Sequence, residues 1–524
     1  MSTSRPFRIW RQQVRASLAA IALAIAPAAL GGSPPPVDDP PLATWAAGIR
    51  LMELGATNEA LEWFLARHRE RPEDPCGFYY PALLYAKHNL DGMDWKQELE
   101  RGRALIDEGI EIGNAVIDAG AATPAARFCL GALYGMRAED RVTAKHYFGA
   151  AFDGKRMRRL MLDLLEEKPQ FVEARFWLGT YDYFADILPS IIKFFRTLLF
   201  LPSGDRERGL AGIETAARSR CLESYSAYWV LSSIYGDEEF EADGAKADRL
   251  FEEFHEAFRD SIQVTSTLAW RRANLPPRDV ESASKLLQEY LARIAASSHA
   301  PRQRLEEKAR VSLGWIYEQD LRPDAAFEIG APAFETAKAH EHRAFHVAFL
   351  LVHSLNEAGR HGEATELVRE LEDLHPGSSQ LDGLRERLEF YDEPSAMIHR
   401  ATLPARRLAR DGKLDEAKQA FEVLLTEHGK VGQIYFWMGD VLNHADRCAE
   451  AAAAYRKVVR LGQTMPAKLL PLALLRLGNL LDLRGDHAQA KKLYRRAAAS
   501  GEYEDIRRAA EHFQKSPFTR QASS

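Results

Sequence analysis

A five-part motif recurs along the chain and limits what the chain can fold into. It consists of a small residue, a large apolar residue, a glycine, a second small residue and a second large apolar residue. One full copy comprises Gly478, Leu481, Gly485, Ala490 and Tyr494. Further copies, some of them incomplete, begin at Gly48, Gly314, Val352, Ala405 and Gly439. Small residues let two helices approach closely, large residues fill the space between them, and glycine permits the turn. The motif therefore predicts antiparallel helix hairpins, which must stack on one another to bury their apolar faces.

Length and composition agree with an all-α array. At 524 residues the chain is too long for one ordinary compact core, and no alternation of apolar and polar residues predicts a strand. Charged residues make up 27% of the chain, yet the formal net charge is only −6. Because a nucleic-acid-binding protein carries a surplus of basic residues, no nucleic-acid partner is predicted.

The N-terminal sequence is typical of a targeting segment. Four arginines precede an apolar run at 16–26, and small residues follow it. This order predicts a secretory signal peptide over residues 1–31, because the run is shorter than the roughly 20 residues that span a bilayer. An uncleaved membrane anchor is the alternative. Residues 32–43 read as a proline-rich linker, and we expect an exported protein of the bacterial periplasm or cell envelope.

The tandem motif resembles the tetratricopeptide repeat (TPR) superfamily over most of the chain after the linker. The resemblance implies a TPR solenoid, which is a right-handed superhelical array of antiparallel helix hairpins. We predict a degenerate array over residues 44–297 and a regular array over residues 298–515 that ends in a capping helix. Residues 516–524 are predicted to be a disordered tail.

A distinctive block runs from Phe176 to Arg218. Its Leu188-Pro189 break, its apolar segment and its Gly204-Asp205-Arg206-Glu207 sequence resemble a subgroup of exported bacterial TPR proteins. That subgroup is similar to the eukaryotic tetratricopeptide repeat domain 39 family, and the resemblance implies no defined activity and no catalytic residue. Segment 190–201 is apolar on nearly all sides, so we expect it to be buried between helices or to contact a lipid or a partner. The residues that would make such a contact are Ile191, Phe194, Phe195, Leu198 and Leu199.

The TPR resemblance also implies a binding groove. In TPR arrays the first helix of each pair lines a concave face, and mixed aromatic, amide and ionisable side chains there suit an extended or helical peptide. The alternative for each residue is packing against the next turn of the array. The residues predicted to line the groove are Lys308, Trp315, Glu318, His346, Phe349, His353, Asn356, His399, Arg406, Phe436, Asp440 and Asn443.

Neither histidines nor cysteines form a recognisable metal motif. His342 and His346 are four residues apart on one predicted helix, but the sequence between them lacks the glutamate of the H-E-x-x-H zinc motif. With no third ligand identifiable, no metal and no cofactor are predicted. The four cysteines contain no C-x-x-C pair. A Cys76–Cys129 bridge stays open for an exported protein, because sequence does not give the geometry.

The sequence shows neither a glycine-rich phosphate loop nor a nucleophile elbow. We therefore predict a non-enzymatic scaffold that mediates protein–protein interaction in the bacterial cell envelope through its groove. The alternative is a lipid- or membrane-associated envelope protein that uses the apolar helix 190–201.

Overall fold

The computed structural model describes residues 44–86, 90, 95–187, 203–236, 240, 242–275, 277–297, 302–389, 391–462, 466–499 and 503–519. Over these residues the chain forms 24 helices and no strand, which confirms the predicted all-α class. The chain divides into two compact units, an N-terminal unit of residues 2–309 and a C-terminal unit of residues 310–524.

Several sequence-based predictions fall outside the described residues. These are the signal peptide (1–31), the whole linker (32–43), residues 520–524 of the tail, and the whole apolar segment 190–201, with Ile191, Phe194, Phe195, Leu198 and Leu199. All of them stay predictions. Among the helices that the structure describes, none has the length and apolar character needed to cross a membrane.

The N-terminal unit is built of helices that each pack on their neighbour in the chain. They are α1 (Ala46–Leu54), α2 (Thr57–Glu70), α3 (Cys76–Ala86), α4 (Trp95–Asp118), α5 (Pro124–Thr143), α6 (Tyr147–Glu167), α7 (Glu173–Ile187), α8 (Arg206–Arg218), α9 (Ser224–Gly236), α10 (Gly244–Ala257), α11 (Ile262–Asn274) and α12 (Val280–Ala296). Helix α13 (Arg302–Gln319) contains the point at which the chain divides into its two units.

The C-terminal unit continues the same arrangement. Its helices are α14 (Pro323–Ala337), α15 (Glu341–Glu357), α16 (His361–Leu374), α17 (Leu381–Glu389), α18 (Glu393–Arg410), α19 (Leu414–Glu427), α20 (Gly432–His444), α21 (Cys448–Leu461), α22 (Leu469–Asp482), α23 (His487–Ala499) and α24 (Glu504–Lys515). Helix pairs α20–α21 and α22–α23 are among the most closely packed in this unit.

The recurring motif has a direct steric cause in this unit. A Cβ atom added to Gly478 would lie 2.4 Å from Cε1 of Tyr494, and one added to Gly439 would lie 2.9 Å from Cε1 of Tyr455. Glycine therefore lets each tyrosine ring rest against the backbone of the preceding helix. Gly485, between α22 and α23, has a φ of 81°, a left-handed conformation that favours glycine in the turn.

Helices α7 and α8 approach so closely that their backbones touch. A Cβ atom on Gly179 would lie 2.7 Å from the carbonyl oxygen of Gly209. A Cβ atom on Gly209 would lie 2.5 Å from the amide nitrogen of Tyr183 and 2.8 Å from the carbonyl oxygen of Gly179. Asp205 caps α8 by accepting a hydrogen bond from the backbone N–H of Arg208 at 2.9 Å. The glycine and aspartate residues of the distinctive block thus serve this helix contact and its turn.

A disulfide joins Cys76, at the start of α3, to Cys129 in α5. Both cysteines are fully buried, and 53 residues separate them in the sequence. The bridge that the sequence left open is therefore formed. Cys221 and Cys448 are free thiols.

Candidate functional site

The first helices of successive pairs in the C-terminal unit meet along one line of side-chain contacts. Glu318 of α13 faces His353 of α15, with 3.6 Å between the carboxylate oxygen Oε2 and the ring nitrogen Nε2. Glu357, at the end of α15, contacts His399 of α18. The ring of His399 in turn lies 4.9 Å from that of Trp437 in α20, measured between ring centroids.

We call the group of ionisable and aromatic side chains at the centre of this line the polar cluster. Its members come from α13, α15, α18 and α20, together with one residue from the turn before α18. They are Trp315, Glu318, His353, Glu357, Tyr391, His399, Arg406 and Trp437.

One half of the polar cluster surrounds Glu318. Its side chain is only 5% exposed, and burial raises the pKa of the Glu318 carboxyl to about 8. The ring of Trp315 lies 5.6 Å from that of His353 between centroids. Burial lowers the pKa of His353 to about 4, so this imidazole is neutral at physiological pH.

The other half is a hydrogen-bonded network around Glu357. The Glu357 carboxylate lies 2.6 Å from Nε2 of His399, and the Tyr391 hydroxyl lies 3.1 Å from Nδ1 of the same ring. Nη1 of Arg406 lies 2.8 Å from the same Nε2 atom, and the Tyr391 hydroxyl donates to Oε1 of Glu357 at 3.2 Å. Burial lowers the pKa of His399. Burial opposes ionisation of Glu357, yet the interactions of its carboxyl with His399, and then with His353 and Arg406, hold the pKa of that carboxyl below the usual range.

Arg406 also contacts an aromatic side chain next to this network, that of Trp437. Its guanidinium carbon lies 4.2 Å from the ring centroid of Trp437, the geometry of a cation–π contact. Its Nη1 atom is 3.6 Å from Glu357, and both side chains are 13% exposed. The polar cluster therefore places a cation, an ionised carboxylate and half-buried tryptophans side by side.

Five of the predicted groove residues meet in the polar cluster. They are Trp315, Glu318, His353, His399 and Arg406. Two more of the predicted groove residues, Phe349 and Asn356, lie on α15 beside the polar cluster. Phe349 is half-buried beneath Arg387, whose guanidinium carbon is 5.4 Å from the ring centroid. Asn356 is buried, and its Oδ1 lies 2.8 Å from Nδ1 of His361.

The other predicted groove residues are placed elsewhere. Lys308 belongs to the N-terminal unit, where its ammonium donates to the carbonyl of Gly55 at 2.6 Å. His346 is exposed and Asn443 is half-buried. Phe436 is 2% exposed and lies in an apolar core with Tyr455 and Leu477.

Asp440 is buried and forms an ion pair with Arg476 of α22. Its carboxylate also accepts a hydrogen bond from the hydroxyl of Tyr455 at 3.4 Å. This carboxylate therefore ties α20 to the helices packed on it.

Sequence reasoning missed three members of the polar cluster. Glu357 follows His353 by four residues, the spacing that puts two side chains on one helix face, so this signal was available. Trp437 directly follows Phe436, the residue that the sequence predicts to line the groove. Tyr391 precedes α18, and no sequence pattern marks it.

Three members of the polar cluster have the arrangement of metal ligands. Glu318, His353 and Glu357 each offer one ligand atom, and these atoms all lie within 4.8 Å of one another. His342 and His346, the histidines with helical spacing, are both exposed and are not part of this group.

The fold defines the class: the described residues form an all-α repeat array of packed helix pairs. Residues 472–500, which cover most of α22 and α23, match the tetratricopeptide repeat family. The chain thus carries a tetratricopeptide repeat in its C-terminal unit.

Curated relatives match only a short part of the chain. A probable biofilm formation methyltransferase WspC of Pseudomonas putida is 32% identical over 95 residues, which is 18% of this chain and 21% of the relative. Its counterpart in Pseudomonas aeruginosa is 37% identical over 92 residues, with the same two shares. The chain therefore spans about a fifth of the length of the relatives that it matches.

Two solved structures are similar over longer stretches. A Rap protein complexed with competence and sporulation factor is 12% identical, with 80% of this chain and 97% of that chain covered, at a TM-score of 0.30. A human IFIT1 dimer with PPP-AAAA is 13% identical, with 93% and 95% covered, at a TM-score of 0.26. At these TM-scores neither comparison bears on function.

Proposed function

We propose that this protein is a non-enzymatic scaffold that binds a protein or peptide partner at the polar cluster of its C-terminal unit. The observation that carries the proposal is the meeting of Trp315, His353, Arg406 and Trp437 on one line of first helices. Tryptophan and arginine are the residues that most often dominate binding energy at protein interfaces.

The energetics of the cluster support a binding role. Burying charged and polar groups costs folding free energy that apolar residues of similar size would not cost. A purely structural array has no need of Glu318, Glu357 and Arg406 at one place, and apolar contacts elsewhere in the unit hold helix pairs together. Groups with strongly shifted pKa values gather at functional sites more often than elsewhere.

Partner capture tests this proposal. The full chain would be cross-linked in cells and recovered with its partners, in the wild type and in the variants Trp315→Ala and Arg406→Gln. We expect both variants to lose the same partner. Trp270→Ala is the matched control, because Trp270 is a half-buried tryptophan in the N-terminal unit. Unchanged recovery in both cluster variants, or equal loss in the control, would contradict the proposal.

We do not propose a methyltransferase activity from the short match to methyltransferases. It covers about a fifth of those proteins, and the groups of the polar cluster are engaged with one another in ion pairs and hydrogen bonds.

We also propose that the protein is exported to the bacterial cell envelope and belongs with the exported TPR subgroup that its 176–218 block resembles. The signal-like N-terminal sequence supports this, and so does the Cys76–Cys129 disulfide, because such bonds persist in oxidising compartments. Alkylation of intact cells followed by mass spectrometry is the test. Finding Cys76 and Cys129 alkylated without prior reduction would contradict export.

The lipid-associated alternative rests on the sequence of residues 190–201. Flotation of the full chain with anionic liposomes tests it, and Phe194→Asp combined with Leu198→Asp should abolish flotation if this segment makes the contact. A chain that stays at the bottom of the gradient would reject the alternative and leave the scaffold proposal intact.

A further inference from the structure

The geometry around Glu318 resembles a metal site built on helices. His353 and Glu357 lie four residues apart on α15, and Glu318 faces them from α13. Ligand atoms of a tetrahedral zinc ion, at about 2.0–2.2 Å from the metal, lie roughly 3.3–3.6 Å from one another. The Nε2 atom of His353 and the Oε2 atom of Glu318 are already 3.6 Å apart, and the remaining ligand atoms must close by about 1 Å.

An unsatisfied buried oxygen is the second observation. Glu318 is 8% exposed as a residue, and its buried Oε1 atom forms no hydrogen bond of normal geometry in the described structure, although the Ser354 hydroxyl interacts with this carboxyl group and lowers its pKa. A buried carboxylate oxygen without a partner is costly. Glu318 also lies close to a second carboxylate, that of Glu357. A divalent cation between the two side chains would satisfy that oxygen.

We propose that Glu318, His353 and Glu357 bind one divalent first-row transition metal ion, such as Zn²⁺, with at least one coordination position open. One imidazole and two carboxylates form a nitrogen–oxygen ligand set suited to Zn²⁺, Co²⁺ or Mn²⁺. This inference stands apart from the proposed partner binding, because the metal needs only these three side chains.

The neighbouring groups define how the ion would sit. Arg387 approaches Nδ1 of His353 at 3.3 Å, so Nε2 is the ring nitrogen that faces Glu318. Coordination through Nε2 places the ring proton on Nδ1, and Arg387 must then turn away from the ring. His399 already binds Glu357 and would orient that carboxylate as an outer partner of the ligand.

Titration of the chelator-treated full chain with Zn²⁺ alone tests the site. We expect one saturable ion per chain by calorimetry, and a visible d–d absorption when Co²⁺ is used instead. His353→Gln and Glu318→Gln should each weaken binding more than about tenfold, because even loss of an outer partner costs that much. Two variants are used so that a folding defect in one leaves the other informative.

Two further variants sharpen the result. His346→Gln removes an exposed histidine from the same helix and should leave the affinity unchanged. Arg387→Met removes a neighbouring cation and should strengthen Zn²⁺ binding several-fold. Absence of saturable binding, or binding that survives in both His353→Gln and Glu318→Gln, would overturn the assignment, and so would weaker binding in Arg387→Met. No partner is present in the titration. A failure to bind Zn²⁺ can therefore be distinguished from a failure to capture a partner.

Discussion

Replacing Gly209 by alanine should push α7 and α8 apart. The new methyl group would lie 2.5 Å from the amide nitrogen of Tyr183, 2.8 Å from the carbonyl oxygen of Gly179 and 2.9 Å from Cα of Tyr183. All three are backbone atoms, so no side-chain rotation relieves the overlap. The two helices must separate by a substantial part of 1 Å, and every side chain packed between them loses contact.

The magnitude follows from two opposing terms. Overpacking of a close contact costs about 1–3 kcal/mol, and a backbone-to-backbone overlap belongs at the upper end. Alanine returns about 1 kcal/mol through its higher helix propensity. A net loss of about 2 kcal/mol in the free energy of unfolding remains, which corresponds to a decrease of about 3 °C in Tm for a unit that spans residues 2–309.

Differential scanning calorimetry of the full chain is the suitable assay. A protein of two units need not unfold in one step, and calorimetry records each unfolding transition. Gly244→Ala is the matched control, since a Cβ atom there meets nothing within 4 Å; its Tm should be unchanged or slightly higher. Gly179→Ala overlaps the same backbone, so combining it with Gly209→Ala should cost less than the sum of the single changes. A Gly209→Ala protein that melts with the wild type would refute the reasoning.

Three more predictions concern the N-terminal unit. Cys129→Ser removes the disulfide and should lower the stability by about 2–5 kcal/mol, measured by denaturant unfolding against the reduced wild type as control. Asp205→Ala removes the cap that accepts the N–H of Arg208 and should cost about 1 kcal/mol, whereas Asp205→Asn should retain most of it. Burial raises the pKa of Glu53 well above its usual value, so the folded state keeps a proton that the unfolded state releases, and stability falls as the pH rises above about 4.5. Glu53→Gln should therefore be more stable than the wild type at pH 8 but not at pH 4, and parallel pH profiles of unfolding would contradict this.

The helix pairs were predictable because their signal is local and steric. Gly478 and Tyr494 pack as the motif required, and the contact depends only on one small and one large residue at a fixed spacing. The close approach of Gly179 and Gly209 was less accessible. Both glycines are visible in the sequence, but their pairing depends on the crossing of two helices whose connection is long.

Which residue of each helix reaches the polar cluster was predictable only to within one position. Each step along a helix turns the side chain by about 100°, so an error of one position moves a residue from the open face into the core. Phe436 illustrates this, since it is buried and the neighbouring Trp437 contacts Arg406 and His399. In the same way, Asn356 is buried, whereas the next residue, Glu357, contacts Arg406 and His399. Whether the residues of the polar cluster bind a partner stays a prediction.

The polar cluster also limits how far this region can be treated as interchangeable modules. Glu318, Glu357 and Arg406 come from three different helix pairs. Glu357 forms an ion pair with Arg406 of another pair, and Glu318 faces His353 of another. Deleting, duplicating or shuffling any one of the three would strand an ionisable group in the interior. These three pairs must therefore be inherited, and redesigned, as one indivisible segment.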